Sequence, residues 1–127
     1  MRYDPERAPN ATQWLASDES ERITAVSAYH RRAKIAVPNE DLHAIVHVIV
    51  ENQLAMGLEH VTTTATRLQS EGLSRHDTIH AIASVLSGLM LDMLKAGGPW
   101  SAAINDQYIQ DLAALTASGW LASADDA

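Results

Sequence analysis

The sequence has no cysteine and no phenylalanine, and only six of its 127 residues are glycine. Without thiols the chain can form neither a disulfide nor a thiolate metal site, so any metal must be held by imidazole and carboxylate groups. Stability must then come from packing alone. The lack of cysteine is consistent with a reducing compartment, and we predict a cytoplasmic protein.

The sequence also lacks a long uninterrupted apolar run. No stretch approaches the roughly 20 apolar residues of a membrane span, and residues 1–9 have no apolar centre of the kind found in signal peptides. We therefore expect neither membrane insertion nor export. Sixteen acidic residues against nine basic ones give a net charge of -7. Such a charge repels phosphate backbones, so we expect no nucleic-acid partner.

What the sequence does contain is helical periodicity. Apolar residues make up 46% of the chain, and over long stretches they recur at spacings of three and four, which is typical of helices rather than strands. We predict an all-α fold, a compact bundle of four to five helices with those at about 40–56 and 74–95 packed at its centre. A helical domain would span 1–98, and 99–127 would add a C-terminal helix and a frayed acidic tail on or trailing from that domain.

Capping residues mark the two central helices. Pro38 should block the preceding helix, and Asn39 can cap the next one, which carries apolar residues as far as Gly57. Ser74 resembles a second N-cap, and its helix should end at Gly97.

These two helices carry two histidine pairs. His43 and His47 are four residues apart, as are His76 and His80, and Glu51 follows four residues after His47. Residues at this spacing lie on neighbouring turns of one helical face, so each HxxxH pair can converge on one ion. On a helical wheel both pairs lie beside the apolar stripe, where unpaired polar groups cost several kcal/mol.

The predicted site is therefore a metal centre. We expect metal ligands among five residues: His43, His47, Glu51, His76 and His80. Nitrogen and oxygen ligands suit zinc or iron first, and nickel or manganese as alternatives. His43 and Glu51 are about 12 Å apart along a helix, so either Glu51 joins two or three histidines on one ion, or it serves a second ion.

Other interpretations of these residues stay open. The histidines could be structural groups hydrogen-bonded to one another, to Glu51 or to Gln53, or they could form a pH-sensitive interface. His76 and Asp77 also spell the HD dipeptide of helical metal phosphohydrolases, with Asp92 downstream. His30 and His60 have no partner four residues away, and we interpret them as surface or second-sphere residues.

Several segments resemble the bacterial family called domain of unknown function 1841, over roughly residues 1–96. They are Tyr3-Asp4-Pro5, Tyr29-His30-Arg31-Arg32, Leu42-His43 through His47, Glu51-Asn52-Gln53, and Arg75-His76 through His80-Ala81-Ile82. The resemblance implies a compact helical domain in which the paired HxxxH segments are a family feature. It implies no substrate.

Two hypotheses for function follow. In the first, the protein is a metal-binding helical domain, whose enzymatic form would be a metal-dependent hydrolase or oxidoreductase, and Glu51 is a ligand or a general base toward metal-bound water. In the second, it is a non-enzymatic homodimeric interaction module, because a helix as apolar as 42–56 needs covering on nearly every side.

Overall fold

A computed structural model describes residues 1–35 and 39–125 of the chain. All regular structure in the described residues is helical, which confirms the predicted all-α class. The helices are α1 (Ala11–Ala16), α2 (Glu19–Arg32), α3 (Glu40–Ala55), α4 (Glu59–Ser70), α5 (Arg75–Ala96), α6 (Ala102–Ala114) and α7 (Ala117–Asp125).

The predicted count of four to five helices is wrong, because the described part of the chain contains seven. The excess comes from short elements. Helix α1 has six residues and is capped by Asn10, whose side chain accepts a hydrogen bond from the Gln13 amide. Helix α7 occupies the region expected to be a tail. Short helices have too few turns for apolar periodicity to reveal them.

The ends of the central helices lie where the sequence placed them. The Asn39 side chain accepts from the Leu42 amide at 3.0 Å, and the Ser74 hydroxyl accepts from the Asp77 amide at 3.1 Å. Helix α5 ends before Gly97, which adopts φ 70°, a left-handed conformation that glycine takes without strain. Pro38, the predicted block before α3, lies outside the described residues.

Helices α3 and α5 pack against each other, and both contact α4, while α2 and α1 lie against α3. Two apolar clusters fill the interior. The larger apolar core comprises Val46, Val50, Val61, Ala65, Leu68, Leu73, Ile79, Ala81, Ile82, Leu86, Leu89, Tyr108, Leu112 and Ala117. The smaller apolar cluster comprises Tyr3, Trp14, Ala25, Val26, Ala44 and Val48. Helix α3 contributes to both clusters, which gives it the central position.

The C-terminal region packs on the same body. Helix α6 lies against α4 and α5, and its Tyr108 and Leu112 are fully buried in the larger apolar core. Helix α7 adds the buried Ala117 and the partly buried Trp120 to that core.

Helix α5 is long and apolar enough to cross a membrane, with a mean hydropathy of 1.4 over its best 18 residues. The core helices of soluble proteins pass the same criterion, so the observation is weak evidence. The expectation that no segment spans a membrane stays a prediction.

Candidate metal centre

Five histidines from three helices meet between α2, α3 and α5. We call this group the histidine cluster: His30 from α2, His43 and His47 from α3, and His76 and His80 from α5. One ligand atom from each of four of them, His30, His47, His76 and His80, lies within 4.8 Å of the others. The structure therefore brings together all four histidines singled out from the sequence, and adds a fifth.

The tightest part of the cluster is a triangle of Nε2 atoms. His43 Nε2 lies 3.2 Å from His30 Nε2 and 3.1 Å from His80 Nε2, and the last two are 3.5 Å apart. A tetrahedral ion with metal–nitrogen bonds of 2.0–2.1 Å places its ligand nitrogens about 3.3 Å from one another. The three edges of the triangle bracket that value.

Hydrogen bonds alone do not satisfy this triangle. His30 Nδ1 lies 2.8 Å from the Val26 carbonyl oxygen, a contact that requires a proton on Nδ1, so the tautomer that this contact selects presents a lone pair at Nε2. His43 and His80 can each direct one Nε2 proton at a single partner. At most two of the three contacts can then be hydrogen bonds, whereas a cation at the centre would accept all three lone pairs.

Two further nitrogens of the cluster lack partners. His47 Nδ1 and His76 Nε2 are buried without a hydrogen bond to any described residue. Leaving a buried polar atom unsatisfied costs about 1–3 kcal/mol. This cost is what a bound ligand would offset.

Burial favours the neutral form of four histidines in the cluster, namely His43, His47, His76 and His80. It lowers the pKa of His43 from 6.5 to about 4 and that of His80 to about 3, and the neighbouring histidines add to both effects. Burial and neighbouring histidines also lower the pKa of His47 well below its usual value, and burial lowers that of His76. Neutral imidazole is the metal-binding form of histidine, so the environment prepares the ligands.

Glu51 lies beside the cluster but is bonded elsewhere. Arg75 donates to both of its carboxylate oxygens, each at 2.7 Å, and the Tyr3 hydroxyl donates to Oε2. Glu51 is 1% exposed, and it does not belong to the group of potential ligands found among the described residues. The predicted roles of Glu51 as metal ligand or general base stay predictions that this pairing does not favour.

Tyr3 links that ion pair to the cluster. Its hydroxyl oxygen lies 2.8 Å from His47 Nε2 while it donates to Glu51. Burial raises the pKa of Tyr3, and the Glu51 charge raises it further, so the phenol stays protonated. Burial alone would lower the pKa of Arg75, but its bonds to Glu51 raise it overall. We call Tyr3, Glu51 and Arg75 the outer network.

His30 is the residue that the sequence analysis missed. It is 5% exposed, so its interpretation as a surface residue is wrong. The sequence contains a signal for its burial, because His30 follows the apolar Val26 by four residues. In the structure Val26 is fully buried. Both residues therefore lie on the core-facing side of α2. The spacing of histidine pairs within one helix carries no information about a single histidine that a third helix supplies.

Three other residues named in the sequence interpretations, His60, Gln53 and Asp92, do not contact the histidine cluster in the described structure. His60 is half-buried against the Tyr108 ring and lies outside the cluster. Gln53 accepts a hydrogen bond from Tyr108 and not from a histidine. Asp92 is exposed and lies 16 residues after His76 on the same helix, about 24 Å away. It cannot complete an HD-type site.

Comparison with protein-family models, with curated proteins and with solved structures gives no match to this chain. The resemblance to the family called domain of unknown function 1841 is neither supported nor contradicted by this result.

Proposed function

We propose that this protein binds a transition-metal ion in the histidine cluster, through the Nε2 atoms of His30, His43 and His80. The Nε2 triangle carries this proposal, since its edges of 3.1, 3.2 and 3.5 Å match the ligand spacing of a tetrahedral ion. His47 and His76 form an overlapping set with His30 and His80, whose ligand atoms lie within 4.8 Å of one another, and that set does not include His43. We propose His47 as the fourth ligand, because the contact of its Nε2 with the Tyr3 hydroxyl leaves the buried Nδ1 available. Zinc or iron is the first choice for an all-imidazole set, and nickel or manganese the second.

The outer network would hold His47 in position. Metal-bound histidines commonly bond their second ring nitrogen to an outer partner, which fixes the tautomer and the ring orientation. The Tyr3 hydroxyl occupies this place at His47 Nε2, which leaves Nδ1 as the atom that faces the cluster. Glu51 and Arg75 then act as positioning residues for Tyr3.

A metal-dependent hydrolase or oxidoreductase is the enzymatic form of this proposal. Catalysis requires a coordination position that the protein does not fill. With the triangle and His47 as four ligands, a molecule in the cleft would be the fifth ligand, a coordination number that zinc sites can reach. His43 and His80 line a cleft between α3 and α5, so the exposed side of the triangle supports access. If the resemblance to the family called domain of unknown function 1841 holds, the members of that family would have the same metal site.

Titration with cobalt and zinc tests metal binding. Co²⁺ should give visible absorption bands typical of tetrahedral nitrogen ligation, and one equivalent of Zn²⁺ should displace it. His80→Ala removes a corner of the triangle and should weaken cobalt binding by at least about 100-fold, since ligand loss exceeds the 10–100-fold effect of outer residues. His60→Ala, a histidine outside the cluster, is the matched control and should bind as the native chain does. Equal binding by both variants would refute the proposal.

A homodimer is the second candidate, and it concerns exposed apolar side chains on α3 and α5, of which Leu42 also lines the cleft at His43 and His80. Leu42 and Ile45 on α3 are 45% and 36% exposed, and Leu91 and Leu94 on α5 are also exposed. Burying such side chains between two copies would be favourable. Mass measured at several concentrations, with and without chelator, tests this. A monomer at high concentration would exclude it and leave the metal proposal intact.

A further inference from the structure

A cleft of about 390 Å³ opens at the histidine cluster between α3, α5 and α7. His43 and His80, two corners of the Nε2 triangle, are part of its lining. A molecule in this cleft would thus lie next to atoms that the proposed function assigns to the metal. Small-molecule sites typically have volumes of about 300–1,000 Å³, so the cleft fits a ligand at the small end of that range.

Most residues that line the cleft are apolar or small. Leu42 and Val46 belong to α3, Ala83 and Ser84 to α5, and Trp120 to α7, while Asn39, the N-cap of α3, adds one polar amide. The Ser84 hydroxyl donates to the Ala81 carbonyl oxygen of its own helix at 2.7 Å. A hydroxyl that is already bonded in this way offers the cleft little polarity.

Charge is missing from this lining. Among the described residues, no lysine, arginine, aspartate or glutamate lines the cleft. An anionic ligand such as a phosphate ester or a carboxylate could pair with the metal, but any charge on the part of it that lies along the cleft walls would have no partner there, and burying that charge would be costly. A neutral ligand with an apolar body has no such cost, because its body gains by leaving water.

From these observations we infer that the cleft binds a small, uncharged, largely apolar molecule, which presents one neutral nitrogen or oxygen donor atom to the ion between His43 and His80. This inference rests on the proposed function and names its ligand class. The apolar body would lie between Leu42 on α3 and Ala83 on α5, with Trp120 at the end of the cleft.

The test uses the full chain loaded with cobalt and two probes that share one donor. Imidazole supplies the neutral nitrogen alone, and 4-phenylimidazole adds an apolar ring. Their dissociation constants are read from the shift of the cobalt bands. We expect 4-phenylimidazole to bind at least about tenfold more tightly than imidazole, because its ring is buried against apolar walls. Azide, a small anion without an apolar ring, should not show the tenfold tighter binding relative to imidazole that we expect of 4-phenylimidazole.

Two substitutions on one face of α5 locate the binding. Ser84→Trp would fill the cleft and should weaken 4-phenylimidazole by at least about tenfold, since the added indole takes the place of the probe's ring. Leu91→Trp, two turns further along the same helix and outside the cleft lining, is the matched control and should change nothing. Trp120→Ala removes a wall without adding bulk. It should weaken 4-phenylimidazole and leave imidazole unaffected.

The outcomes separate the two proposals. If cobalt bands form but respond to neither probe, or respond equally to both, the cleft inference is overturned and the metal site stands. The same follows if Ser84→Trp and Trp120→Ala both leave 4-phenylimidazole binding unchanged. If no cobalt bands form in the native chain, the proposed function itself fails and the cleft inference fails with it.

Discussion

Helix α3 buries two kinds of side chain. Val46 and Val50 belong to the larger apolar core, while His47 and Glu51, one residue further along in each case, are equally buried among polar groups. The apolar side is stabilised by leaving water, whatever else the solution contains. The polar side has buried nitrogens without partners, which costs free energy. One side of the helix thus builds the fold, and the other has buried polar atoms whose cost a bound ligand would offset.

The largest expected effect in this comparison comes from the larger apolar core. Leu68 is fully buried on α4, and Leu68→Ala should lower the free energy of unfolding by about 2–5 kcal/mol through lost burial and the cavity left behind. This loss should be the same with and without zinc, as measured by denaturant unfolding.

The polar side should show the reverse behaviour. In the native protein the zinc-dependent gain in stability amounts to about 4 kcal/mol when free zinc is 1,000 times the dissociation constant, and in His80→Ala, which binds at least about 100-fold more weakly, it should fall to about 1.4 kcal/mol or less at the same zinc concentration. If Leu68→Ala, still folded, also lost that gain, the two sides of α3 would not be independent and the comparison would fail.

A smaller effect is expected at the outer network. Tyr3→Phe removes the hydroxyl next to His47 Nε2 and should weaken zinc binding about 10–100-fold, as losses of outer partners do. Tyr108→Phe is the matched control, since it removes another buried hydroxyl, bonded at 2.8 Å to Gln53 in the other half of the molecule. Competition titration with a zinc chelator should show unchanged affinity for Tyr108→Phe. Equal zinc affinities for both variants would show that the Tyr3 hydroxyl does not support the metal site.

The last prediction concerns pH and the metal-free protein. The unfolded chain protonates its histidines near 6.5, whereas the pKa of folded His43 is about 4 and that of His80 about 3. The unfolded state therefore binds more protons in this interval, and the free energy of unfolding falls as the pH falls below 6.5 and levels off near the folded values. Above 6.5 these two groups give no pH dependence.

Denaturant midpoints measured from about pH 7 down to about pH 4 test this sign. The double variant His43→Asn with His80→Asn should have a smaller slope, with the remainder coming from His47 and His76, while His60→Asn should keep the native slope. A native protein whose midpoint rises on acidification in this interval would show that the cluster is not held neutral.

Much of the fold was readable from the sequence because its signals are local. Asn39 and Ser74 cap the helices they were expected to cap, and Gly97 follows the end of α5. The HxxxH spacing also placed four of the cluster's histidines correctly, since residues four apart share a face whatever the helix packs against.

The rest of the site depends on tertiary packing. No spacing in the sequence shows that α2 would bring His30 to the pairs on α3 and α5. The pairing of Glu51 with Arg75 joins residues 24 positions apart, and Tyr3 reaches Glu51 from 48 positions away. Glu51 looked like a ligand because its own helix places it one turn after His47. Its hydrogen-bond partners Tyr3 and Arg75 come from other parts of the chain, and they occupy the carboxylate oxygens that a metal would need.

The most direct test of the account is the metal content of the protein purified without an affinity tag, measured by elemental mass spectrometry. The account predicts a near-stoichiometric transition metal in the native chain that is lost when His43→Ala and His80→Ala are combined and retained in His60→Ala. A native protein that is metal-free and also fails to take up zinc, iron, nickel or manganese would contradict it, and the histidine cluster would then be a buried hydrogen-bonded group.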